Sequence, residues 1–116
     1  MRGISLSVHG ALEMIAAPAI MVAPFLLDFG QAATIATVLV GVLLLGLATQ
    51  AEAPQPNVPV SAHAGLDYVV AAFAVISGVG IGLVTSEWYA PIFLIGVGAA
   101  QVALTSATRF SQPRNA

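Results

Sequence analysis

Apolar residues fill four long stretches of the chain, and short polar segments separate them. The four stretches cover residues 8–27, 32–49, 62–84 and 88–108. A helix needs about 20 residues to cross a hydrocarbon core of roughly 30 Å, so each stretch is long enough to span a bilayer. The pattern therefore predicts an all-α fold, a four-helix transmembrane bundle built from two parallel helical hairpins.

Turn-forming residues divide this pattern into two repeats. A tight turn is expected at residues 28–31, and residues 50–61 carry three prolines with Gln and Asn, which is typical of a polar linker. The predicted organisation is a first hairpin repeat at residues 1–50, a Pro-rich cytoplasmic linker at 51–61, and a second hairpin repeat with a short polar tail at 62–116.

Composition supports the membrane assignment and narrows the chemistry. Of the 116 residues, 59% are hydrophobic and only 7% are charged. A soluble domain carries about 25% charged residues, because its surface must be hydrated. The three basic residues and net charge of −2 exclude a nucleic-acid-binding surface. The chain has no cysteine, so His, Asp, Glu and main-chain groups are the remaining metal ligands.

One short pattern, His-x-x-Leu-acid, opens the first and third apolar stretches. His9 precedes Glu13 by four residues, and His63 precedes Asp67 by four residues. Positions i and i+4 share a helix face, so each His lies over its own carboxylate. Ionisable groups inside a membrane segment are costly and normally face a partner or a cavity, so these four residues are the candidate site.

The spacing between the two copies indicates a parallel repeat. His9 and His63 are 54 residues apart, as are Glu13 and Asp67. Gly41 is aligned with Gly96 at an offset of 55. A parallel repeat implies a pseudo-two-fold axis along the membrane normal, so the two His are expected at one depth and the two carboxylates at another.

The arginines give the expected orientation. Four spans place both termini on one side of the membrane, together with Arg2, Arg109 and Arg114, while Asp28 and Glu87 fall on the other side. Because Lys and Arg are enriched in cytoplasmic segments, the N- and C-termini are predicted to be cytoplasmic.

Prolines and small residues inside the spans predict local helix geometry and packing. Pro18 and Pro24 each remove a backbone donor, which predicts a kink in the first helix. Two small-x-x-x-small pairs allow close helix approach, and we expect packing within the bundle rather than a seam with a partner subunit. These pairs are Gly78 with Gly82 and Gly96 with Ala100.

These residues resemble the SPW-repeat family of small bacterial membrane proteins. Both hairpins open with the family's His-x-x-Leu-acid pattern, while Pro24 with Phe25 and Ser77 retain parts of its Ser-Pro-Trp element. The start of the last helix adds Trp88, Pro91 and Gly96. The resemblance implies two helical hairpins in a bacterial inner (cytoplasmic) membrane, and it implies no reaction.

Three interpretations of the His/carboxylate residues are open. The first is cross-repeat pairing of His9 with Asp67 and His63 with Glu13, with Gln101 completing a structural polar layer. The second is a metal site for Zn²⁺ or a ferrous or manganous ion, or a proton relay, at the same four residues. The third is a b-type haem bound through His9 and His63, which requires an apolar slot for the macrocycle.

The chain has no nucleophile elbow, phosphate-binding loop or His-Glu-x-x-His motif, so we identify no catalytic residue and do not expect an enzyme. The expected function is a structural or accessory integral membrane protein. Its partners are then the lipid bilayer and either other copies of itself or the subunits of a larger complex, with no cofactor. The alternative is a metal- or haem-binding module with a redox or proton-relay role.

Overall fold

The computed structural model describes residues 3–52 and 60–110 of the chain. Its helices are α1 (Leu6–Leu26), α2 (Gln31–Glu52), α3 (Val60–Val84) and α4 (Tyr89–Ser106). Two short strands, β1 (Ile4–Ser5) and β2 (Thr108–Arg109), precede α1 and follow α4. At 1.5 Å per residue the helices are about 27–38 Å long, and all four are long and apolar enough to cross a membrane. The predicted all-α, four-helix transmembrane bundle is confirmed.

Several helix ends differ from their predicted positions. Helix α1 begins two residues earlier than expected, because the Ser5 side chain caps it by accepting a hydrogen bond from the Val8 N–H at 3.2 Å. Helices α2 and α3 extend into the predicted linker as far as Glu52 and Val60. The rest of that linker lies outside the described residues, as do Arg2 and Arg114.

The prolines of α1 lie inside a helix that continues to Leu26. The turn that follows is closed by backbone hydrogen bonds from the Leu27 N–H to the Ala23 carbonyl at 2.8 Å and from the Phe29 N–H to the Pro24 carbonyl at 2.9 Å. Asp28 adopts a left-handed backbone with φ of 56°, a conformation that Asp tolerates better than most residues. The kink at Pro18 and Pro24 stays a prediction.

The helices pack as two hairpins that meet along one side. Helix α1 packs closely on α2, α3 packs closely on α4, and the hairpins join through α2 and α3. The backbones of α1 and α4 approach each other closely at only a few positions. The repeat makes this pair equivalent to α3 and α2, whose backbones approach each other more extensively. The core consists mainly of small and branched apolar side chains: Ala17, Ile20, Ala33, Ala36, Val40, Leu44, Val70, Ala74, Ala90 and Leu94.

Glycine contacts correct the predicted repeat register. A Cβ added at Gly41 would meet Met21 Cγ and lie 3.1 Å from the Ala17 carbonyl oxygen. A Cβ added at Gly98 would lie 2.5 Å from Val75 Cγ2 and 2.8 Å from the Ala71 carbonyl oxygen. Met21 and Ala17 become Val75 and Ala71 at the 54-residue offset, so Gly98, and not Gly96, is the counterpart of Gly41.

The register changes because the second hairpin has a longer first helix. Helix α3 continues four residues past Gly80, the counterpart of the last residue of α1. The glycine contacts give an offset of 57 residues between the second helices, as between Gly41 and Gly98, close to the 58 residues that separate the last residues of α1 and α3.

The predicted small-residue pairs behave differently from one another. Gly78 is buried against α4, where an added Cβ would lie 3.0 Å from Leu94 Cβ, and Gly82 faces Pro91 at 3.4 Å. Gly96 faces open space. Ala100 lines a groove between α1 and α4. The predicted packing of Gly96 within the bundle is wrong, because no described residue contacts that position, and the packing role of Ala100 stays a prediction.

Contacts between the two hairpins close both ends of the molecule. At the end away from the termini, the Gly30 N–H donates to Glu87 Oε2 at 2.9 Å, joining the two interhelical turns. At the other end, β1 and β2 pair in parallel, with the Ile4 N–H donating to the Ala107 carbonyl at 3.0 Å.

The stacked, exposed rings of Trp88 and Tyr89 have the position and chemistry of an interfacial aromatic pair.

The two neighbouring glycines of α4 provide a test of the α3–α4 contact. Gly98→Ala should lower the free energy of unfolding by about 1–3 kcal/mol, because the new methyl group meets the backbone of α3. Gly96→Ala, where the Cβ would enter open space, should change it by less than about 0.5 kcal/mol. Denaturant unfolding of both variants in the same detergent measures the difference, and equal effects would contradict the assigned contact.

Candidate functional site

The four predicted site residues lie together in the interior of the bundle. His9 and Glu13 project from α1, and His63 and Asp67 project from α3. All four side chains are buried. One ligand atom from each, an imidazole nitrogen or a carboxylate oxygen, lies within 4.8 Å of the other three. We call these residues the His/acid cluster.

The distances within the His/acid cluster join the two repeats. His9 Nε2 lies 2.9 Å from Asp67 Oδ2 on the other repeat and 3.2 Å from Glu13 Oε2 on its own helix. His63 Nε2 lies 3.2 Å from Asp67 Oδ2 and 3.5 Å from Glu13 Oε1. Each imidazole thus contacts both carboxylates, and the two rings meet edge to face with centroids 5.6 Å apart.

These short contacts do not have the direction of hydrogen bonds. Within the described residues, five buried atoms of the His/acid cluster have no hydrogen-bond partner. They are His9 Nε2, His63 Nε2, Glu13 Oε1, Asp67 Oδ1 and Asp67 Oδ2. Buried polar atoms are nearly always satisfied, and a cation at the centre of the cluster is one arrangement that would satisfy these atoms together.

A contact outside the His/acid cluster orients His9. The Thr108 hydroxyl lies 2.6 Å from the Leu104 carbonyl and 2.8 Å from His9 Nδ1. Because the hydroxyl has one hydrogen, which it donates to Leu104, its oxygen accepts from the Nδ1–H of His9. This assignment puts the proton on Nδ1 in the neutral ring and leaves Nε2, on the side of the carboxylates, without a hydrogen.

The chain around β2 closes the His/acid cluster on the side of the termini. Phe110 packs its ring against both imidazoles, with centroids 5.2 Å from His9 and 5.6 Å from His63. Thr108 is fully buried, and the β1–β2 pairing fixes this segment over the end of α1. These residues lie in or beside the predicted polar tail, and the sequence pattern alone did not identify them.

The polar layer differs between the second helices of the two repeats. Gln101 on α4 donates from Nε2 to Glu13 Oε2 at 2.7 Å, the contact expected of the predicted layer. Its counterpart on α2, at the 57-residue offset, is the buried Leu44. One turn further along, the buried Thr105 corresponds to Ala48. Helix α4 therefore contributes polar groups where α2 contributes only apolar ones.

The His/acid cluster brings four potential metal ligands close together. Tetrahedral ligands at metal distances of about 2.0–2.1 Å lie about 3.3 Å from one another. The nitrogen–oxygen contacts in the cluster are 2.9–3.5 Å, with His9 facing Oε2 of Glu13 and His63 facing Oε1. In a set with one ligand atom from each residue, the four atoms lie within 4.8 Å of one another. Two imidazoles and two carboxylates also suit Zn²⁺, Fe²⁺ or Mn²⁺ as donors, and a divalent ion would balance both carboxylate charges.

The same geometry does not fit a haem. A bis-His haem needs an apolar slot between the two axial nitrogens. Here Asp67 Oδ2 lies 2.9 Å from one Nε2 and 3.2 Å from the other, so a carboxylate occupies that space. The imidazole rings also contact each other directly. We therefore derive no role for haem at His9 and His63.

Comparisons with known proteins identify no relative of this chain: no family model, no curated protein and no solved structure matches it.

The buried pairing gives a direct stability test. Asp67→Leu should lower the free energy of unfolding by about 3–5 kcal/mol, because both imidazoles lose a carboxylate in a buried, apolar site. Replacing all four cluster residues by Leu should recover much of that loss, since no unpaired polar group then remains. Unfolding in detergent with a chelator present measures both variants; an unaltered stability of Asp67→Leu would contradict the pairing.

Proposed function

We propose that this protein is a small integral membrane module that binds one divalent transition metal ion at His9, Glu13, His63 and Asp67. The observation that carries the proposal is the convergence of four buried donor groups whose facing atoms lack hydrogen-bond partners within the described residues. A divalent ion at their centre would satisfy the facing nitrogen and oxygen atoms simultaneously.

The surroundings of the His/acid cluster support metal binding over simple pairing. Metal-bound His residues normally donate their second ring N–H to an oxygen, as His9 does to Thr108. Ligating carboxylates are normally hydrogen-bonded too, as Glu13 is by Gln101. Both outer contacts leave the inward-facing atoms available for the ion.

A structural role without a metal is the second candidate, favoured by the 2.9 Å contact between His9 and Asp67 across the repeats. In that case two protonated imidazoles would balance two carboxylates, and the layer would hold the hairpins together. The protein would then act as an accessory subunit of a larger membrane complex or as a homo-oligomer. The two candidates differ in whether the purified protein binds metal.

The proposed setting is a bacterial inner membrane with both termini in the cytoplasm. The orientation rests on the excess of arginine at the end of the molecule that carries the termini, of which Arg109 is described. The bacterial assignment rests on the resemblance to the SPW-repeat family, which stays a prediction.

Metal analysis of purified protein tests the proposal. We expect about one equivalent of Zn²⁺, Fe²⁺ or Mn²⁺ per chain after dialysis against each ion, measured by elemental analysis. Asp67→Asn and His63→Ala should each lose most of it, because either change removes a ligand. Glu87→Gln is the matched control, since that carboxylate bonds the Gly30 N–H at the opposite end of the bundle. No metal in wild type, or equal metal in all variants, would favour the structural candidate.

Thr108→Val tests the outer contact separately. Valine has nearly the shape of threonine but cannot accept the His9 Nδ1–H, so metal affinity should fall about 10–100-fold while the ligands remain. Competition with a chelator of known affinity measures the change. Unchanged affinity would mean that Thr108 does not orient a metal ligand.

A further inference from the structure

The His/acid cluster lies close to one end of the bundle and far from the other. His9 and His63 are each the fourth residue of their helices, so about 5 Å of helix separates them from the end that carries the termini. Towards the opposite end, α3 continues from Asp67 to Val84, or about 26 Å. We infer that water-soluble species reach the cluster from the side of the termini only, through a gate formed by residues 108–110. The path does not depend on a metal, and its use by a divalent cation rests on the proposed function.

The long route from the opposite end offers an ion few polar groups. Between that end and the cluster the helices bury apolar side chains, among them Ile20, Val70 and Leu94. Within the described part of the chain, Thr37 is the only buried polar side chain on this route, and its hydroxyl already donates to the Ala33 carbonyl at 2.7 Å. Transfer of an unpaired ion into such surroundings is strongly unfavourable, so this end is closed to ions.

The short route is polar, and side chains rather than a helix close it. Thr105, on α4 one turn beyond Gln101 towards the termini, is buried, and its hydroxyl has no hydrogen-bond partner among the described residues. Thr108 follows about one turn later, with its hydroxyl 2.8 Å from His9 Nδ1. The Phe110 ring then packs against both imidazoles. This ring is half-buried, so it contacts the cluster on one side and stays partly exposed on the other.

The gate is held by few interactions, so it can open without unfolding of the bundle. Strand β2 pairs with β1 over two residues, and the Ile4 N–H donates to the Ala107 carbonyl at 3.0 Å. A two-stranded pairing of this length is at most marginally stable by itself. The helices of each hairpin, by contrast, pack closely along their length. Local opening therefore needs less free energy than separation of the helices, and it moves the Phe110 ring away from His9 and His63.

Chemical modification of the imidazoles tests the path without a metal. His9 and His63 are the only histidines of the chain, so histidine modification by diethyl pyrocarbonate reports on the cluster alone when the protein carries no histidine tag. Phe110→Ala should raise the modification rate at least about tenfold, because the ring no longer covers the imidazoles. Glu87→Gln, which weakens the contact with Gly30 at the opposite end, should leave the rate unchanged. Mass spectrometry measures the rates, and equal rates in wild type and Phe110→Ala would overturn the proposal.

A disulfide across the strand pair can hold the gate closed reversibly. Ser5 and Arg109 are aligned partners in the parallel pair, and the chain has no cysteine, so Ser5→Cys/Arg109→Cys can form only this bridge within one chain. Partner Cα atoms on paired strands are about 5 Å apart, which is within disulfide range.

The oxidised double variant should be modified at least about tenfold more slowly than the same variant after reduction. Both states lack the Ser5 cap of α1, so the comparison isolates the gate. Equal rates in the two states would mean that the gate is not the path. This comparison also decides the question if Phe110→Ala does not fold.

Zn²⁺ release from sealed liposomes tests the side of the membrane. EDTA does not cross the bilayer, so EDTA added outside should remove Zn²⁺ only from molecules whose C-terminal tag is cleaved by external protease. Removal from molecules of both orientations, or from the opposite orientation, would refute the one-sided path. Release should be at least about tenfold faster in Phe110→Ala, while the equilibrium affinity changes less than about threefold, because Phe110 supplies no metal ligand.

The two sets of measurements distinguish failure of the gate from failure of the metal site. Wild type that binds no Zn²⁺, with histidine modification that follows the expected pattern, would refute the metal site and support the path. Bound Zn²⁺ with equal modification and release rates in wild type and Phe110→Ala would support the metal site and refute the gate.

Discussion

The burial of four ionisable side chains inside an apolar bundle is the constraint on which the rest of the structure depends. A lone carboxylate or imidazolium in such a place is strongly unfavourable, so each group must meet a group of opposite charge or a cation. His9 Nε2 and Asp67 Oδ2, 2.9 Å apart, join the two repeats in this way, as an ion pair when His9 is protonated or through a shared cation. This requirement fixes the height of α1 relative to α3, two helices whose backbones barely approach each other.

The duplicated sequence makes this arrangement simple to build. Each hairpin supplies one His and one carboxylate on a single helix face, and a parallel repeat brings both sets to the same depth. The second helices then make the site asymmetric. Gln101 bonds Glu13, and Thr108 orients His9, whereas the α2 counterpart of Gln101 is Leu44. The asymmetry distinguishes the two carboxylates, since Glu13 is hydrogen-bonded from α4 and Asp67 is not bonded within the described residues.

The sequence predicts the parts of this site that depend on helix periodicity. The four-residue spacing and the 54-residue repeat place His9, Glu13, His63 and Asp67 correctly, because helix geometry and duplication are both regular. Phe110 was missed because its position depends on a two-residue strand pairing that has no periodic pattern. The sequence alone does not distinguish Gly96 from Gly98 as the counterpart of Gly41, because both are glycines on α4 and the longer α3 shifts the register by an amount that the sequence does not fix.

Specific residues lie at the two ends of the groove between α1 and α4. Towards the end away from the termini, Phe93 of α4 stands where α2 has Ala36. Its ring packs edge to face on Phe29 with centroids 5.7 Å apart, and it lines the groove between α1 and α4. Towards the end that carries the termini, the 2.7 Å hydrogen bond from Gln101 to Glu13 joins α4 to α1. The groove is therefore bounded by an aromatic residue at one end and by a polar contact between its two walls at the other.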